Sequence, residues 1–124
     1  LGLSDHPTLF MLAANVISLV TGMFVDVYSN ILILVPIILG PAMSAGINPT
    51  HLGIVTTVNV DIGNITPPFG LNLFVAAAAF GQSYFAIIRA VLPWLLIALI
   101  CLLIVTFVPS ISMWLPSRLY PELK

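Results

Sequence analysis

The sequence predicts an all-α integral membrane protein: a re-entrant helical hairpin, a broken transmembrane helix and a terminal transmembrane helix. Three observations lead there. Of the 124 residues 60% are hydrophobic and 6% charged, and the mean hydropathy is +1.20, whereas about a quarter of a soluble domain is charged. The apolar stretches are too long for single spans, and clusters of Gly, Pro, Asn and Asp interrupt them in mid-run. Lipid is therefore the solvent. The few charges (Asp5, Asp26, Asp61, Arg89, Arg118, Glu122 and Lys124) and a net charge of -1 leave no basic footprint for nucleic acid.

A bilayer span takes about 20 apolar residues at about 1.5 Å each. The first apolar run leaves Pro7, reaches Phe24 and resumes from Tyr28 to Leu39, with Thr21, Gly22 and Asp26 in the gap. A continuous helix from Thr8 to Leu39 would measure about 48 Å against a hydrocarbon core of about 30 Å. The chain is therefore expected to turn back at Gly22 to Asp26, as two half-helices of about 20 Å each with the tip near mid-membrane. Pro36 reads as a kink, Gly40-Pro41 as a helix stop, and Pro41 to Pro49 (PAMSAGINP) as a loop. Residues 1–49 form this first unit.

Residues 50–81 form the second unit, a discontinuous transmembrane helix. His51 to Ile62 is largely apolar, the tract Gly63 to Gly70 (GNITPPFG) breaks it, and Leu71 to Phe80 resumes. A double proline flanked by glycines forbids helix there. The freed backbone groups cannot face lipid and must be buried in protein or line a polar cavity. Residues 82–124 form the third unit. Gln82 to Arg89 reads as a short interfacial arm helix, Ala90 to Val108 as an ordinary span tolerating Pro93, and the remainder as a C-terminal tail, with Trp94 and Trp114 as interface anchors. The opening LGLSDHPTLF has neither a basic region nor an initiator Met. It is not a signal peptide, and the chain is expected to begin inside a longer protein.

The polar residues around the breaks are the candidate site. An intramembrane carboxylate costs at least ~2.5 kcal/mol and faces a partner, an ion or water, so Asp26 is either a site residue, a cap for the hairpin's second helix, or both. Asp61 follows the same logic, either as a direct ligand or as a group facing a water-filled vestibule. Asn59, Asn64, Thr66 and Asn72 place amide and hydroxyl oxygens around the second break, where unwound carbonyls would add hard ligands for Na⁺ and half-helix N–H groups would suit a carboxylate. Each of the four could instead make a helix-to-helix hydrogen bond. Gly63, Pro68 and Gly70 line the break itself. His6 and His51, in or beside loops, are expected at the surface, and Cys101 as a small buried hydrophobe. No HExxH, CxxC, GxSxG or P-loop pattern is present.

Several runs in order resemble a known family: Gly22 to Asp26 (GMFVD), Ile33 to Pro36 (ILVP), Gly46 to Gly53 (GINPTHLG), Asn59 to Val75 (NVDIGNITPPFGLNLFV), Arg89 to Pro93 and Val108-Pro109. Together they are similar to the large membrane subunit of tripartite ATP-independent periplasmic (TRAP) transporters, over nearly the whole chain but only the C-terminal third or so of such a subunit. The resemblance implies the second inverted repeat of an elevator-type, Na⁺-coupled importer in the bacterial inner membrane, whose terminal helix serves as scaffold. It implies an acidic solute of the C4-dicarboxylate or sialic acid type, handed over by a periplasmic binding protein. The partners would be the rest of the large subunit and a small membrane subunit. A Na⁺ site is implied between the hairpin tip (Gly22, Val25, Asp26) and the unwound loop (Thr66, Pro67). Asp61 departs from the small residue expected there. The implied topology puts Leu1 and Ile47 at the periplasmic face and Gly81 in the cytoplasm. Arg89 then obeys the positive-inside rule, while Arg118 and Lys124 do not.

Two rivals make different structural demands. An intramembrane aspartyl hydrolase using Asp26 and Asp61 needs their carboxyls within hydrogen-bonding distance or one water, and no GxGD surrounds either. A channel or passive anchor needs continuous helices.

Overall fold

The computed structural model describes residues 5–123; Leu1 and Lys124, to which topology was assigned above, lie outside them. Six helices follow in order: α1 (Pro7–Phe24), α2 (Val27–Ser44), α3 (Pro49–Gly63), α4 (Leu71–Phe80), α5 (Tyr84–Phe107) and α6 (Pro109–Leu119), then one 3₁₀ turn, Pro121–Leu123. No strand occurs among the described residues. Three helices, α1, α2 and α5, are long and apolar enough to cross a membrane.

Local chemistry sets the boundaries. Pro7 and Pro49 open α1 and α3 at a helix's first turn, where the missing N–H costs nothing. Asp26 caps α2 by accepting from Ser29 N at 3.0 Å, and Asn48 caps α3 by accepting from Thr50 N at 2.8 Å. The expected stop at Gly40-Pro41 is incorrect: α2 runs through Pro36 and Pro41 to Ser44. A proline removes one N–H bond and crowds the carbonyl four residues back, but the rest of an apolar ladder has no water to turn to. The terminator is Gly46. At φ 78° it lets its own N–H reach Met43 O and the N–H of Ile47 reach Ala42 O, both at 3.0 Å, closing the orphan carbonyls as a Schellman cap does. The hairpin helices are consequently about 27 Å long, longer than the half-helices expected.

Two boundaries in the last third also differ from expectation. Gln82 to Arg89 is no separate arm: Ser83 caps a helix that continues from Tyr84 to Phe107 past Arg89 and Pro93. The expected tail is largely the helix α6. Trp94 lies inside α5 rather than at its edge. The Arg118 guanidinium sits 5.5 Å above the Trp114 ring, a cation–π contact.

α1 and α3 run parallel, because Asn59 bonds Asn15 near their middles and Gly63 packs on Gly22 at their ends. α2 returns antiparallel to both, burying Asn30, Leu34, Ile38 and Ala42 at four-residue spacing. The core joins these helices to α5 through Met11, Leu34, Ile38, Leu52, Val55, Ile62, Leu95 and Leu102. α3 and α4 measure about 22 and 15 Å, and neither alone spans a core of about 30 Å, whereas α5 at about 36 Å does. α3 and α4 follow one another against α5, with the loop between them. Asn15 touches Thr106 near the end of α5.

Candidate functional site

The end of the hairpin and the break between α3 and α4 occupy one place. A Cβ added to Gly63 would stand 2.8 Å from Gly22 C, Gly22 Cα and Leu19 O, and one on Gly22 would stand 2.9 Å from Val60 O. Only two glycines permit this approach of α1 and α3. The rings of Phe24 and Phe69 meet at 4.9 Å, so the turn of the hairpin touches the loop as well as the helix before it.

The loop closes on itself. Thr66 N donates to Gly63 O at 2.9 Å, Gly70 N to Thr66 O at 3.0 Å and Asn72 N to Asn64 O at 3.1 Å. The Thr66 hydroxyl donates to Ile62 O at 2.6 Å, which leaves its lone pairs as acceptors. Gly70 fits because a Cβ there would stand 2.7 Å from Asn64 O. The hydroxyl of Tyr84, at the start of α5, donates to Pro68 O, and its ring stacks on Phe74 at 4.5 Å, fixing the far side of the loop.

Among the described residues the carbonyls of Gly22, Val25 and Pro67 accept no backbone hydrogen bond, and the buried Oδ1 of Asn64 has no partner. Oxygen acceptors without donors are hard ligands, the donor set that an alkali cation takes in an unwound helix. No trio of His, Cys, Asp or Glu converges among the described residues. The donor chemistry therefore fits Na⁺.

Not every sequence-chosen residue is gathered here. Val25, Asp26, Asn64, Thr66, Pro67, Pro68 and Gly70 lie in the turn or the loop, and Gly22 and Gly63 in the last turns of α1 and α3 beside them. Asp26 is exposed, with its carboxylate engaged as a cap. Asp61 lies on the exposed side of α3, and the Asn72 side chain is exposed on α4. Asn59 is fully buried and directed elsewhere: its Nδ2 donates to Asn15 Oδ1 at 2.7 Å and to Val55 O at 2.9 Å. This is the helix-to-helix alternative.

That network is not among the sequence expectations. Asn15 Nδ2 donates to Thr106 Oγ1 at 3.0 Å, and Thr106 Oγ1 donates to Leu102 O at 2.8 Å. His51, expected at the surface, is only 4% exposed. Its Nε2–H donates to Thr106 O at 3.2 Å while Nδ1 pairs with the Ser112 hydroxyl. The imidazole joins α3 to the α5–α6 corner, because burial demands partners for both nitrogens. Cys101, expected inside, is exposed, as suits an apolar residue on a lipid-facing helix. A cleft of about 330 Å³ bounded by Met11, Ile47, His51, Thr106 and Met113 lies at the base of the hairpin, away from the turn. Its lining is largely apolar, and the His51 nitrogens are already paired.

Membrane-length helices around a break lined by unpaired backbone oxygens are the architecture of a membrane transporter component. Comparison with known proteins makes the class specific. Residues 1–111 match the family model described as "Tripartite ATP-independent periplasmic transporter, DctM component". The chain is 51% identical over 119 residues to the C4-dicarboxylate TRAP transporter large permease protein DctM of Pseudomonas aeruginosa, covering 96% of this chain and 27% of that protein. It is 42% identical over 118 residues to the protein of the same name from Vibrio cholerae, covering 94% and 26%. It is 34% identical over 117 residues to the sialic acid TRAP transporter large permease protein SiaM of Vibrio cholerae, covering 94% and 27%. No solved structure matches. The chain belongs to the DctM family of tripartite ATP-independent periplasmic transporters. That family is one of transporter permeases rather than enzymes, and the chain spans about a quarter of the length of these relatives.

Proposed function

We propose that this chain is one half of the transport site of a large permease subunit that couples the import of an acidic solute to Na⁺. In this reading α1 and α2 are a re-entrant hairpin, α3–α4 a broken crossing, and the chain the second inverted repeat of an elevator-type transporter in the bacterial inner membrane. A first repeat elsewhere in the subunit supplies the other half. A small membrane subunit and a periplasmic binding protein complete the system. The solute class, a C4-dicarboxylate or a sialic acid, follows the names of the relatives. A single observation carries the proposal: the ends of α1 and α3 meet at the Gly22–Gly63 contact, which brings the hairpin turn against the unwound loop among oxygens that accept no hydrogen bond. A channel or anchor has no use for that interruption.

Bound Na⁺ would be held by the carbonyls of Gly22, Val25 and Pro67 with the Thr66 hydroxyl, the Asp26 carboxylate adding negative charge nearby. Ion and solute together would hold the turn against the loop, so that neither half-site moves empty. In this reading the terminal helix α5 serves as scaffold, and the Asn15–Thr106 hydrogen bond is a contact between it and the hairpin.

Two variants of the complete transporter test the site in proteoliposomes. Thr66→Ala removes a cation ligand and is expected to raise the Na⁺ concentration for half-maximal uptake about tenfold, the equivalent of ~1.4 kcal/mol. Asp26→Ala removes both the nearby charge and a helix cap of about 1 kcal/mol, and is expected to weaken the Na⁺ response as well as lower thermal stability. Unchanged uptake and an unchanged Na⁺ response in both variants would sink the assignment.

A further inference from the structure

Asn30 is the one polar residue in the stripe that α2 buries, between the turn and Leu34, Ile38 and Ala42. It stands one helical turn beyond the Asp26 cap, and Gly22 stands one turn before it, so the antiparallel hairpin places both at one depth, the depth at which Gly22 packs on Gly63, the residue before Asn64. Asn30 and Asn64 are 3% and 4% exposed. Asn30 Nδ2 and Asn64 Oδ1 are both buried without a hydrogen-bond partner. Two carboxamides unpaired at one level are costly in a seam that Leu would fill, since a buried polar group left unmade forfeits its solvation.

We propose that Asn30 is a further ligand of the coupling cation, contributed by the hairpin's second helix and facing the cation together with Asn64. This rests on the Na⁺ reading of the site above. The chemistry selects a cation over a carboxylate, because the carbonyls of Gly22, Val25 and Pro67 in the turn and loop are acceptors too and Asp26, one helical turn before Asn30, is itself a carboxylate. The Asn30 amide makes no hydrogen bond in its present orientation, so a half-turn about its last torsion presents Oδ1 without breaking one. Amide and carbonyl oxygens with a single carboxylate nearby suit a monovalent ion. The ligands would then come from α1, α2 and the loop, so that binding fixes both hairpin arms to the break.

The test uses the complete transporter in detergent and in proteoliposomes, with two readouts: the Na⁺-induced rise in melting temperature and the Na⁺ concentration for half-maximal uptake. Asn30→Leu, similar in volume, is expected to abolish the Na⁺-induced rise and to raise half-saturation about tenfold or more, with solute KM at saturating Na⁺ unchanged. Asn30→Asp keeps an oxygen and adds charge, so its half-saturation is expected to fall below that of the native protein. A Leu variant that melts higher without Na⁺ and keeps the native Na⁺ response overturns the proposal, since Asn30 is then only an unpaired seam residue. If the Leu variant cannot be purified, Asn30→Asp decides, and an unchanged or raised half-saturation overturns it. Thr66→Ala separates the two readings: a response there without one at Asn30 removes Asn30 alone, and no response at either removes the site itself.

Discussion

Gly63→Ala is expected to abolish transport by the complete subunit. The substitution adds one methyl where Gly22 C, Gly22 Cα and Leu19 O would all stand at 2.8 Å, against about 3.5–4.0 Å for ordinary carbon contact. All three are backbone atoms, so no side chain can swing aside. α1 and α3 must part by the better part of an ångström, or the end of α3 must unwind. Helix propensity works the other way, since Ala is favoured over Gly by about 1 kcal/mol in a helix. Overpacking of a rigid contact costs about 1–3 kcal/mol, and three simultaneous backbone clashes belong at its upper end. On the proposed Na⁺ reading function loses more than stability does, because the same displacement lifts the hairpin turn from the loop and spreads the Gly22 and Pro67 carbonyls. Ligand geometry is unforgiving, and a misplacement of about 1 Å can cost a factor of about 100. Gly22→Ala meets Val60 O at 2.9 Å and Val60 Cα at 3.0 Å and should behave alike. Measured side by side, the two variants should give well-expressed protein with a lowered melting temperature and solute uptake at background. Native uptake in either would show that the close approach does not position the site.

The breaks were legible in the sequence and the helix ends were not, for one physical reason. Pro67-Pro68 between Gly63 and Gly70, and Asp26 between apolar runs, are local incompatibilities with continuous helix or with lipid, and no tertiary context removes them. Pro36, Pro41 and Pro93 are weaker signals. A single missing N–H is outweighed by the bonds on either side, so α2 and α5 continue through them. The separate arm and the tail were expected for a similar reason: charge at Arg89 and the end of the apolar run at Val108 mark polarity, not the end of the backbone ladder. Among the polar residues, chemical type alone could not tell a ligand from an interhelical strut. Thr66, Asn64 and Asn59 look alike in sequence, and only the turn of α3 sends the Asn59 amide to Asn15. One further signal lies in the sequence. Asn30 falls at four-residue spacing with Leu34, Ile38 and Ala42, and a lone polar group on an apolar stripe asks for a partner.

Asn59→Leu separates strut from ligand, and its expected result is a less stable transporter whose Na⁺ dependence is native. Asn59 is fully buried with Nδ2 bonded to Asn15 Oδ1 and Val55 O. Leucine keeps the volume but strands Asn15 Oδ1 in an apolar seam. Interhelical hydrogen bonds in membranes average ~0.6 and reach ~1.7 kcal/mol, while an acceptor left buried and unpaired costs about 1–3 kcal/mol. The stranding therefore dominates, and the single variant should lose more than the bond was worth. Asn15→Leu should cost at least as much, because it also removes the donor to Thr106 Oγ1 and so loosens the hairpin from α5. Thr106 itself stays satisfied through Leu102 O. The double variant Asn15→Leu/Asn59→Leu leaves no stranded amide between the two helices, so its destabilisation should fall clearly short of the sum of the single losses. That shortfall, read as a double-mutant cycle on melting temperatures in detergent, measures the coupling directly. Strict additivity would mean that the two amides do not act as a pair. A raised Na⁺ half-saturation at Asn59→Leu would return this residue to the site, with its buried Oδ1, unpartnered among the described residues, as the ligand.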